Sequence, residues 1–417
     1  MQRRDLLAWG GAVMGGMAIG AGFPATAPVR AAAPDGPQHL LSAADFGARG
    51  DGAADDTAAL QAAMDATFAG DGTMLLIPPG TYRVTRTLRL RFTKPLTRQG
   101  GILAPGARLL SAIIDGSPVV EVLSESTVRY LLIDGLGIEG SGSDGVGLKL
   151  SCESFGRYIY NFCLRDLVVQ NCGDDGCALA GNIFEGQVVN CYFRNNHGNG
   201  ASFAHGQPAG ILSAIHVMGC VFGQNADNGA ALLNGAYDIS FHGCYFLLNQ
   251  RFGLLARNGC TLLSNCGFEN NHEQAAGFAA GDAGIWLQGF GTLIACTGYS
   301  IRNQTHLLRS YVVDQLVMIG CTGSGGSAAS AAALARLGGN ASGMATLLGC
   351  RGAFQVDKGF EAMVIGGPGQ GVQFGAAWNS RCLPRLGEHV LWVDAQGRLR
   401  IKKGQPGGDE DGTPVGA

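Results

Sequence analysis

The chain has 417 residues, a formal net charge of -3 and only 15% charged residues. That balance excludes the basic stripe of a nucleic-acid-binding protein, so we expect no nucleic-acid partner. Hydrophobic residues make up 46% of the chain, which is ample for a core, while 68 glycines and 14 prolines indicate many turns.

Residues 1–33 have the pattern of an export signal. Arg3 and Arg4 precede a weakly apolar run from Leu6 to Phe23, and the small residues at 31–33 offer a cleavage site. The arginine pair resembles a twin-arginine signal peptide, with an ordinary secretory signal as the alternative. We therefore expect a periplasmic or extracellular protein. The glycine- and alanine-rich run predicts no stable membrane anchor.

A capping module follows the signal, with a helix predicted near residues 55–69. Asp55 or Asp56 can cap its N-terminus, and its apolar residues form one stripe at helical spacing: Leu60, Ala63, Met64, Thr67 and Phe68. An open solenoid end exposes apolar surface and strand edges, which such a helix would cover. Turn and cap roles account for Asp45, Asp51, Asp55 and Asp56 better than a metal site does.

The sequence of this module resembles that of a known family. The stretch DFGARGDGAADDTAALQAAM begins at Asp45, and LLIPPGTYRV ends at Val84. Both resemble the entry module of the pectate-lyase superfamily, in particular of its polygalacturonase-related members. The resemblance implies a right-handed parallel β-helix.

A repeat occupies the centre of the chain. Its marker cysteines are spaced by 29, 24, 22, 30, 25 and 29 residues, at Cys191, Cys220, Cys244, Cys266, Cys296, Cys321 and Cys350. Each lies in a short strand pattern that is followed by asparagine and then by a glycine-led apolar run, which predicts an all-β solenoid, a single-stranded parallel β-helix. Like residues of successive coils should stack, with the cysteines inside and mostly unbridged, and the asparagine amides hydrogen-bonded along the axis.

The solenoid is predicted as one domain over residues 40–383. Residues 384–402 form a predicted hairpin cap with a Gln396-Gly397 turn, because two apolar runs flank that dipeptide. Residues 403–417 are polar and glycine-rich, and we expect them to be disordered.

Acidic and polar residues stand directly before the glycine-led strands. On consecutive coils these positions should align into one outward row. The candidate catalytic residues are Asp174, Asp175, Asp227 and His197, and the candidate substrate-binding residues are Arg251, Asn199, Asn228 and Asp282. The double aspartate resembles that of polygalacturonase-like hydrolases, which implies a catalytic role for it. His197 follows Asn196 instead of the family's glycine, and the family's Asn-Thr-Asp and Arg-Ile-Lys motifs have no counterpart.

Three functions fit this row. Asp174 and Asp227, two coils apart, could form the acid and base of an inverting glycoside hydrolase acting on an acidic polysaccharide. Alternatively, Arg251 or His197 could abstract the proton next to a uronate carboxylate, in a lyase or C5-epimerase. No cofactor is expected for hydrolysis, whereas a lyase could hold Ca²⁺ through Asp174, Asp175 and Asp227. The third function is non-catalytic binding of an exopolysaccharide.

Overall fold

The fold is seen in a computed structural model. It describes residues 40–153, 156–204, 210–271, 283–300, 306–325, 333–337, 344–351, 353–356, 361–365, 385–386, 388–394, 396–404, 406–408 and 410–415. The predicted signal segment and Asp282 lie outside these ranges. Parallel strands wind through successive coils and stack on three faces, as the single-stranded right-handed parallel β-helix prediction requires.

The first face follows the corner that carries the acidic row. Its strands are Leu88–Phe92, Val120–Ser124, Leu148–Cys152, Cys177–Gly181, Ala201–Ala204, Ala230–Leu233, Ala333–Leu337 and Ala353–Val356. Three longer strands bend from this face onto the second: Leu254–Ser264, Ala283–Ile294 and His306–Ile319.

The second face lies in the same 23-stranded sheet. Its remaining strands are Leu40–Ser42, Met74–Leu76, Gly100–Leu103, Val128–Arg129, Leu131–Asp134, Ile159–Tyr160, Cys163–Arg165, Ile183–Val189, Leu212–Met218, Tyr237–His242, Met344–Leu348 and Glu361–Ile365.

The third face is a separate 11-stranded parallel sheet. Its strands are Asp51–Asp55, Gly80–Val84, Ala107–Ser111, Gly137–Glu139, Val168–Gln170, Tyr192–Arg194, Val221–Gly223, Tyr245–Leu247, Gly267–Glu269, Thr297–Ser300 and Thr322–Gly325.

The core repeats from coil to coil as predicted. All seven marker cysteines are at most 6% exposed, and every cysteine whose side chain is described is free. Burial raises the pKa of the Cys177 thiol, which keeps it protonated and unreactive. The rings of Phe222, Phe246 and Phe268 stack at 4.9 and 4.6 Å between centroids.

A buried asparagine ladder runs beside the phenylalanine stack. Asn225 Nδ2 donates to Asn249 Oδ1 at 2.9 Å, and Asn249 Nδ2 donates to Asn271 Oδ1 at 2.8 Å. Asn196 continues the ladder on the preceding coil. These amides also bond backbone groups of neighbouring coils, so the ladder satisfies polar groups that would otherwise be buried without partners.

The capping helix spans Thr57–Phe68 and buries the predicted stripe at Leu60, Ala63, Met64 and Thr67. A 3-10 turn, Ala43–Phe46, precedes it. Asp55 Oδ1 accepts the Thr57 N–H at the start of the helix. Asp56 occupies the N-cap position but makes no side-chain cap bond to the helix, and it binds the backbone N–H groups of Arg49 and Gly50 in the preceding turn. Within the described ranges no helix is both long and apolar enough to cross a membrane.

The C-terminal strands form a four-stranded antiparallel sheet. Its strands are Arg385–Leu386, His389–Val393, Leu399–Lys403 and Thr413–Pro414, and the second and third form the predicted hairpin. The prediction that residues 403–417 are disordered is wrong for the described ones. Thr413 pairs with Ile401, and buried Arg400, which binds Asp394 at 2.6 Å, donates to the Gly412 carbonyl at 3.2 Å. A buried guanidinium needs such acceptors, and the tail supplies them.

Candidate functional site

The corner before the first face aligns the acidic residues. Cys177, Ala201, Ala230 and Leu254 pair in succession across that face, and the row occupies the position three residues before each. The Gly198 N–H donates to the Asp174 carbonyl, the Asp227 N–H to the Gly198 carbonyl, and the Arg251 N–H to the Asp227 carbonyl, at 3.0 to 3.1 Å. Asp174, Gly198, Asp227 and Arg251 therefore form one axial row, in which Gly198 and not the predicted His197 takes the place between Asp174 and Asp227.

Glycine at the start of each strand makes this corner tight. A Cβ added to Gly200 would lie 2.5 Å from the Gly229 carbonyl oxygen, and one added to Gly229 would lie 2.5 Å from that of Gly253. A side chain at these positions would force the coils apart. The repeated glycine thus fixes the register that brings the preceding residues together.

Asp227 and Arg251 form an ion pair at the C-terminal end of the row. Arg251 Nη1 lies 3.1 Å from Asp227 Oδ1, and the side chains are 48% and 31% exposed. Burial raises the pKa of Asp227, although the charge of Arg251 acts in the opposite direction. Asp227 is thus a partly exposed carboxyl whose protonated form is favoured by its surroundings, as a general acid requires.

Asp174 stands two coils earlier and is exposed. Between it and Asp227 lies Gly198, which has no side chain. A Cβ built on Gly198 would lie 2.8 Å from Asp174 Oδ1 and 2.4 Å from Asp175 Oδ1, so both carboxyl groups lean over this glycine. The row therefore contains a notch at Gly198, between the coils of Asp174 and Asp227, and the Asp174 and Asp175 carboxyl groups reach over it from the preceding coil.

Gly198→Ala should displace both carboxyl groups, because the added methyl group would overlap their oxygens. A misplacement of about 1 Å in a reacting group can cost about 100-fold in rate, and we expect a loss of that order in kcat/KM. Gly408→Ala is the matched control, since a Cβ there meets no atom within 4 Å. Unchanged kinetics for Gly198→Ala would show that neither carboxyl group near the notch takes part in the reaction.

Asp175 begins a polar ladder one residue further along the corner. Its Oδ1 accepts the Asn199 backbone N–H at 2.6 Å and Asn199 Nδ2 at 2.8 Å. Burial raises the pKa of Asp175. Hydrogen bonds from Ser202 and Asn199 oppose the shift, and the charge of Asp174 adds to it. Burial is thus the largest cause of the raised pKa, and the charge of Asp174 is the smaller one that acts in the same direction.

Asn199 and Asn228 continue this ladder and do not face solvent. Asn228 Nδ2 donates to Asn199 Oδ1 at 2.9 Å, and the Phe252 N–H donates to Asn228 Oδ1 at 3.2 Å. The two asparagines are 9% and 2% exposed. The structure thus corrects the predicted direct substrate contact for both residues, since their amides hold the corner together.

Asp175→Asn provides a test of this burial by pH. The folded state raises the pKa of Asp175 above the unfolded value of about 3.9, so wild-type stability falls as pH rises above that value. Asparagine does not titrate, so the variant does not lose stability in this way as pH rises, and its amide oxygen can still accept the Asn199 N–H groups. The melting temperature of the variant relative to wild type should therefore increase with pH.

Asp51→Asn is the control with the opposite sign. Hydrogen bonds from the Ala54 and Ala53 N–H groups lower the pKa of Asp51, so its contribution is present above the unfolded pKa and is lost on acidification. Thermal melts across a pH series should separate the two variants. A pH-independent difference for Asp175→Asn would contradict the assignment.

His197 is exposed but points away from Asp227. A Cβ built on Gly142, two coils earlier, would lie 3.4 Å from His197 Cε1, so the imidazole extends back along the axis on the Asp174 side. Asp144, which precedes Gly145 at the same corner of an earlier coil, is only 3% exposed and binds the N–H groups of Ser141 and Gly173. Asp144 is therefore a turn residue and not a member of the exposed row.

An apolar patch adjoins the ion pair. The rings of Phe252 and Trp286 lie 5.3 Å apart, and they pack with Ala231, Leu233 and Leu255 outside the main core. Aromatic rings beside a charged row are suited to contact with the faces of sugar rings. Sequence reasoning missed Phe252 and Ser202, although strand alternation, which places Ser202 outward between Ala201 and Phe203, could have indicated the latter.

The described residues do not fit the three-carboxylate calcium site that the lyase alternative would need. The Asp175 carboxyl group binds Asn199 and Ser202, and that of Asp227 binds Arg251. Of these three carboxyl groups, that of Asp174 is the most exposed. In the part of the chain that the structure describes, no group of three or more His, Cys, Asp or Glu side chains is arranged to hold a metal ion.

Three family models match separate parts of the chain. Residues 40–97 match "Rhamnogalacturonase A/epimerase, pectate lyase-like", residues 120–306 match "Right handed beta helix region", and residues 324–417 match "Capsule depolymerase". The entry module is thus pectate-lyase-like, and the coils form a right-handed β-helix, as the sequence resemblance implied.

Relatives of known name share only part of the chain. Mannuronan C5-epimerase AlgE1 of Azotobacter vinelandii is 31% identical over 155 residues, covering 36% of this chain and 9% of AlgE1. AlgE6 of the same organism is 56% identical over 198 residues, covering 37% of this chain and 22% of AlgE6. The chain therefore spans less than a quarter of the length of either relative.

Solved structures share the fold. The structure of ORF18 from Geobacillus virus E2 matches 88% of this chain and 68% of its own, with a TM-score of 0.61 and 18% identity. At that identity the likeness shows the fold alone.

Proposed function

We propose that this chain, with its pectate-lyase-like entry module and right-handed β-helix, is an exported enzyme that hydrolyses glycosidic bonds of an acidic polysaccharide. The observation that carries the proposal is the placement of Asp174 and Asp227 on either side of the Gly198 notch. Their positions are two coils apart, which corresponds to about 9.6 Å along the axis. The Asp174 side chain leans toward the notch, and rotation of the Asp227 side chain away from Arg251 would bring the two carboxyl groups into the range of about 6.5–9.5 Å used by inverting glycosidases.

Each carboxyl group then has one role. Asp227, whose pKa is raised by burial, donates its proton to the glycosidic oxygen as the bond to the anomeric carbon breaks. Asp174 removes a proton from the water that attacks the anomeric carbon from the opposite side. The products are a shortened chain with a new reducing end and a second chain that has gained a hydroxyl group, so the atoms of one water molecule are divided between them.

Two neighbouring features support a sugar acid as substrate. The Arg251 guanidinium lies beside the proposed acid and can bind a uronate carboxylate. Its charge also limits the upward shift of the Asp227 pKa. In the apolar patch Phe252 is only 5% exposed, and the half-buried ring of Trp286, which packs on it, is the aromatic surface that a sugar ring on the next coil could contact. The names of the matched families and relatives, which include capsule depolymerases and mannuronan epimerases, also favour polysaccharide substrates.

Elimination or C5-epimerisation is the second candidate. It is favoured by the contact of Arg251 with Asp227, because an arginine that neutralises a uronate carboxylate would acidify the proton on the adjacent carbon. The similarity to mannuronan C5-epimerases also favours this second candidate. In this case a residue of the row would remove that proton. A lyase would expel the neighbouring glycosidic oxygen, and an epimerase would return a proton to the opposite face.

The experiment that tests these functions is an incubation of the mature protein with a panel of polyuronates and bacterial exopolysaccharides. Hydrolysis should produce reducing ends without near-ultraviolet absorbance, whereas elimination produces both. Epimerisation leaves chain length unchanged and, in heavy water, incorporates deuterium at C5. Binding without any of these products would replace the enzyme proposal with a non-catalytic exopolysaccharide-binding function.

A further inference from the structure

A groove of about 650 Å³ lies between the exposed side of the capping helix and the first coils. The helix contributes Ala58, Gln61, Ala62 and Asp65, and the coils contribute polar residues that include Arg86 and Ser117. None of the three functions inferred from the acidic row uses it. Its volume is in the range of small-molecule sites, which are commonly about 300–1,000 Å³.

The groove opens on the same corner as the acidic row. Leu88, Val120, Leu148 and Cys177 pair in succession on the first face. The position three residues before each of the last three is occupied by Ser117, Gly145 and Asp174. Ser117 therefore lies in the axial row of Asp174, two coils or about 9.6 Å before it.

Two glycines lie at this corner between the groove and Asp174. Gly145 occupies the intervening coil of the row, and Gly173 precedes Asp174 on the next. A Cβ on either glycine would lie 2.1 to 2.2 Å from a backbone oxygen of the preceding coil, so neither position accepts a side chain. A polymer that lay along this corner would meet backbone at these two positions and would pass the imidazole of His197, which reaches back to Gly142.

Both hydrogen-bond donors and hydrogen-bond acceptors line the groove. Arg86 is exposed and makes no ion pair with any residue that the structure describes, whereas Arg89 binds Glu121 at 3.2 Å and Arg91 binds Glu125 at 2.7 Å. Asp65, Asp115 and Ser117 add oxygen atoms. Such a mixture suits sugar hydroxyl groups, and the available guanidinium of Arg86 suits a carboxylate.

The helix wall of the groove is held in place by its own contacts. Gln61 Nε2 donates to the Arg89 carbonyl at 2.9 Å, and the Arg89 N–H donates to Gln61 Oε1 at 2.8 Å. Gln61 Nε2 also binds Asp65 Oδ1 at 2.8 Å. These bonds fix the helix against the strand Leu88–Phe92, so the groove exists before any ligand binds.

We propose that this groove is a remote binding subsite for an acidic saccharide unit of the same polymer that reaches the notch. The proposal rests on the proposed function for the identity of the polymer. The capping helix then has two roles: it covers the end of the solenoid and forms one wall of the subsite. Because the subsite is two to four coils from the proposed catalytic pair, only chains long enough to span that distance can use it.

Ala62→Trp tests the subsite, with Ala66→Trp as the matched control. Both alanines are exposed on the same helix, but only Ala62 lines the groove, so the indole of the first variant should fill it. For long chains we expect KM to rise about 10-fold in Ala62→Trp, with kcat unchanged, corresponding to the loss of one good polar contact. Short oligomers that occupy only the notch should be processed equally by both variants. Equal KM values for long chains would overturn the proposal.

Binding measured in the Asp227→Asn background separates this proposal from the proposed function. Calorimetry with long polyuronate chains should show weaker binding for Ala62→Trp than for Ala66→Trp, and Arg86→Gln should weaken binding in the same direction. That result without any cleavage by the wild-type protein would support the subsite and reject the enzyme. Cleavage by wild type with equal binding by all variants would support the enzyme and reject the subsite.

Discussion

Asp227→Asn is expected to lower kcat by about 100- to 10,000-fold, the range attributed to a positioned general acid. The amide has nearly the same shape and keeps an oxygen for Arg251, but it cannot donate a proton to a leaving glycosidic oxygen. KM should change little, because the lost interaction belongs to the transition state. Initial rates of reducing-end release from the polymer that the substrate panel identifies would measure the effect.

The control for this variant is Asp238→Asn. Asp238 is exposed on the second face in a left-handed backbone conformation, with a φ of 56°, which asparagine tolerates well. The Asp238→Asn variant removes the same charge from the same solenoid at a position outside the row, and we expect its activity to match that of the wild-type protein. Equal loss in both variants would indicate a general effect of charge, and wild-type activity in Asp227→Asn would reject Asp227 as the acid.

The pH profile offers an independent readout of the same role. A general acid must be protonated, so kcat should fall as pH rises through the pKa of Asp227. The charge of Arg251 lowers that pKa, and Arg251→Gln should therefore move the alkaline fall of kcat to higher pH. A shift to lower pH, or none, would mean that Asp227 is not the group that controls the alkaline limb.

The architecture could be predicted because its determinants repeat in the sequence. Cys220, Cys244 and Cys266 recur with phenylalanine two residues later, and a solenoid converts such a repeat directly into stacking. The asparagine pairs were ambiguous. The buried amide of the pair 195–196 belongs to Asn196, whereas Asn195 takes a left-handed conformation with a φ of 55°. Sequence spacing alone does not say which of two adjacent residues turns inward at a corner.

The sequence predicted that the site residues align in one row, but it did not predict how deeply each side chain is buried. Counting back from the glycines placed Asp174, Asp227 and Arg251 correctly, because parallel coils carry register from one strand to the next. The same counting could not distinguish exposed Asp174 from Asp175, whose burial depends on Ser202 and Asn199 in the following coil. The groove under the capping helix was not predicted, because it forms between segments distant in sequence.

The second large effect is expected for Asn249→Ala, which should lower the free energy of unfolding by about 3 to 5 kcal/mol. Asn249 is fully buried, and its amide serves the Asn225 N–H, Asn225 Nδ2 and the Phe222 carbonyl. Alanine removes one hydrogen bond from each of these three groups in a dry interior, although Asn225 Nδ2 keeps its bond to the Phe193 carbonyl. Each such loss costs about 1–3 kcal/mol, partly relieved by local relaxation. Denaturant unfolding followed by circular dichroism would measure the change.

Asn195→Gly is the matched control for that variant, because Asn195 belongs to the same corner two coils earlier but is exposed and has a positive φ that glycine adopts freely. Its stability should change by less than about 0.5 kcal/mol, as is usual for surface substitutions. The difference in the free energy of unfolding between the two variants then gives the contribution of the buried ladder, separate from the role of asparagine as a turn residue. If Asn249→Ala were as stable as Asn195→Gly, the ladder would be dispensable, and the coils would depend on the cysteine and phenylalanine stacks alone. The register that aligns Asp174 with Asp227 would then have no polar constraint beside the backbone bonds themselves, and the notch would be free to shift by a residue.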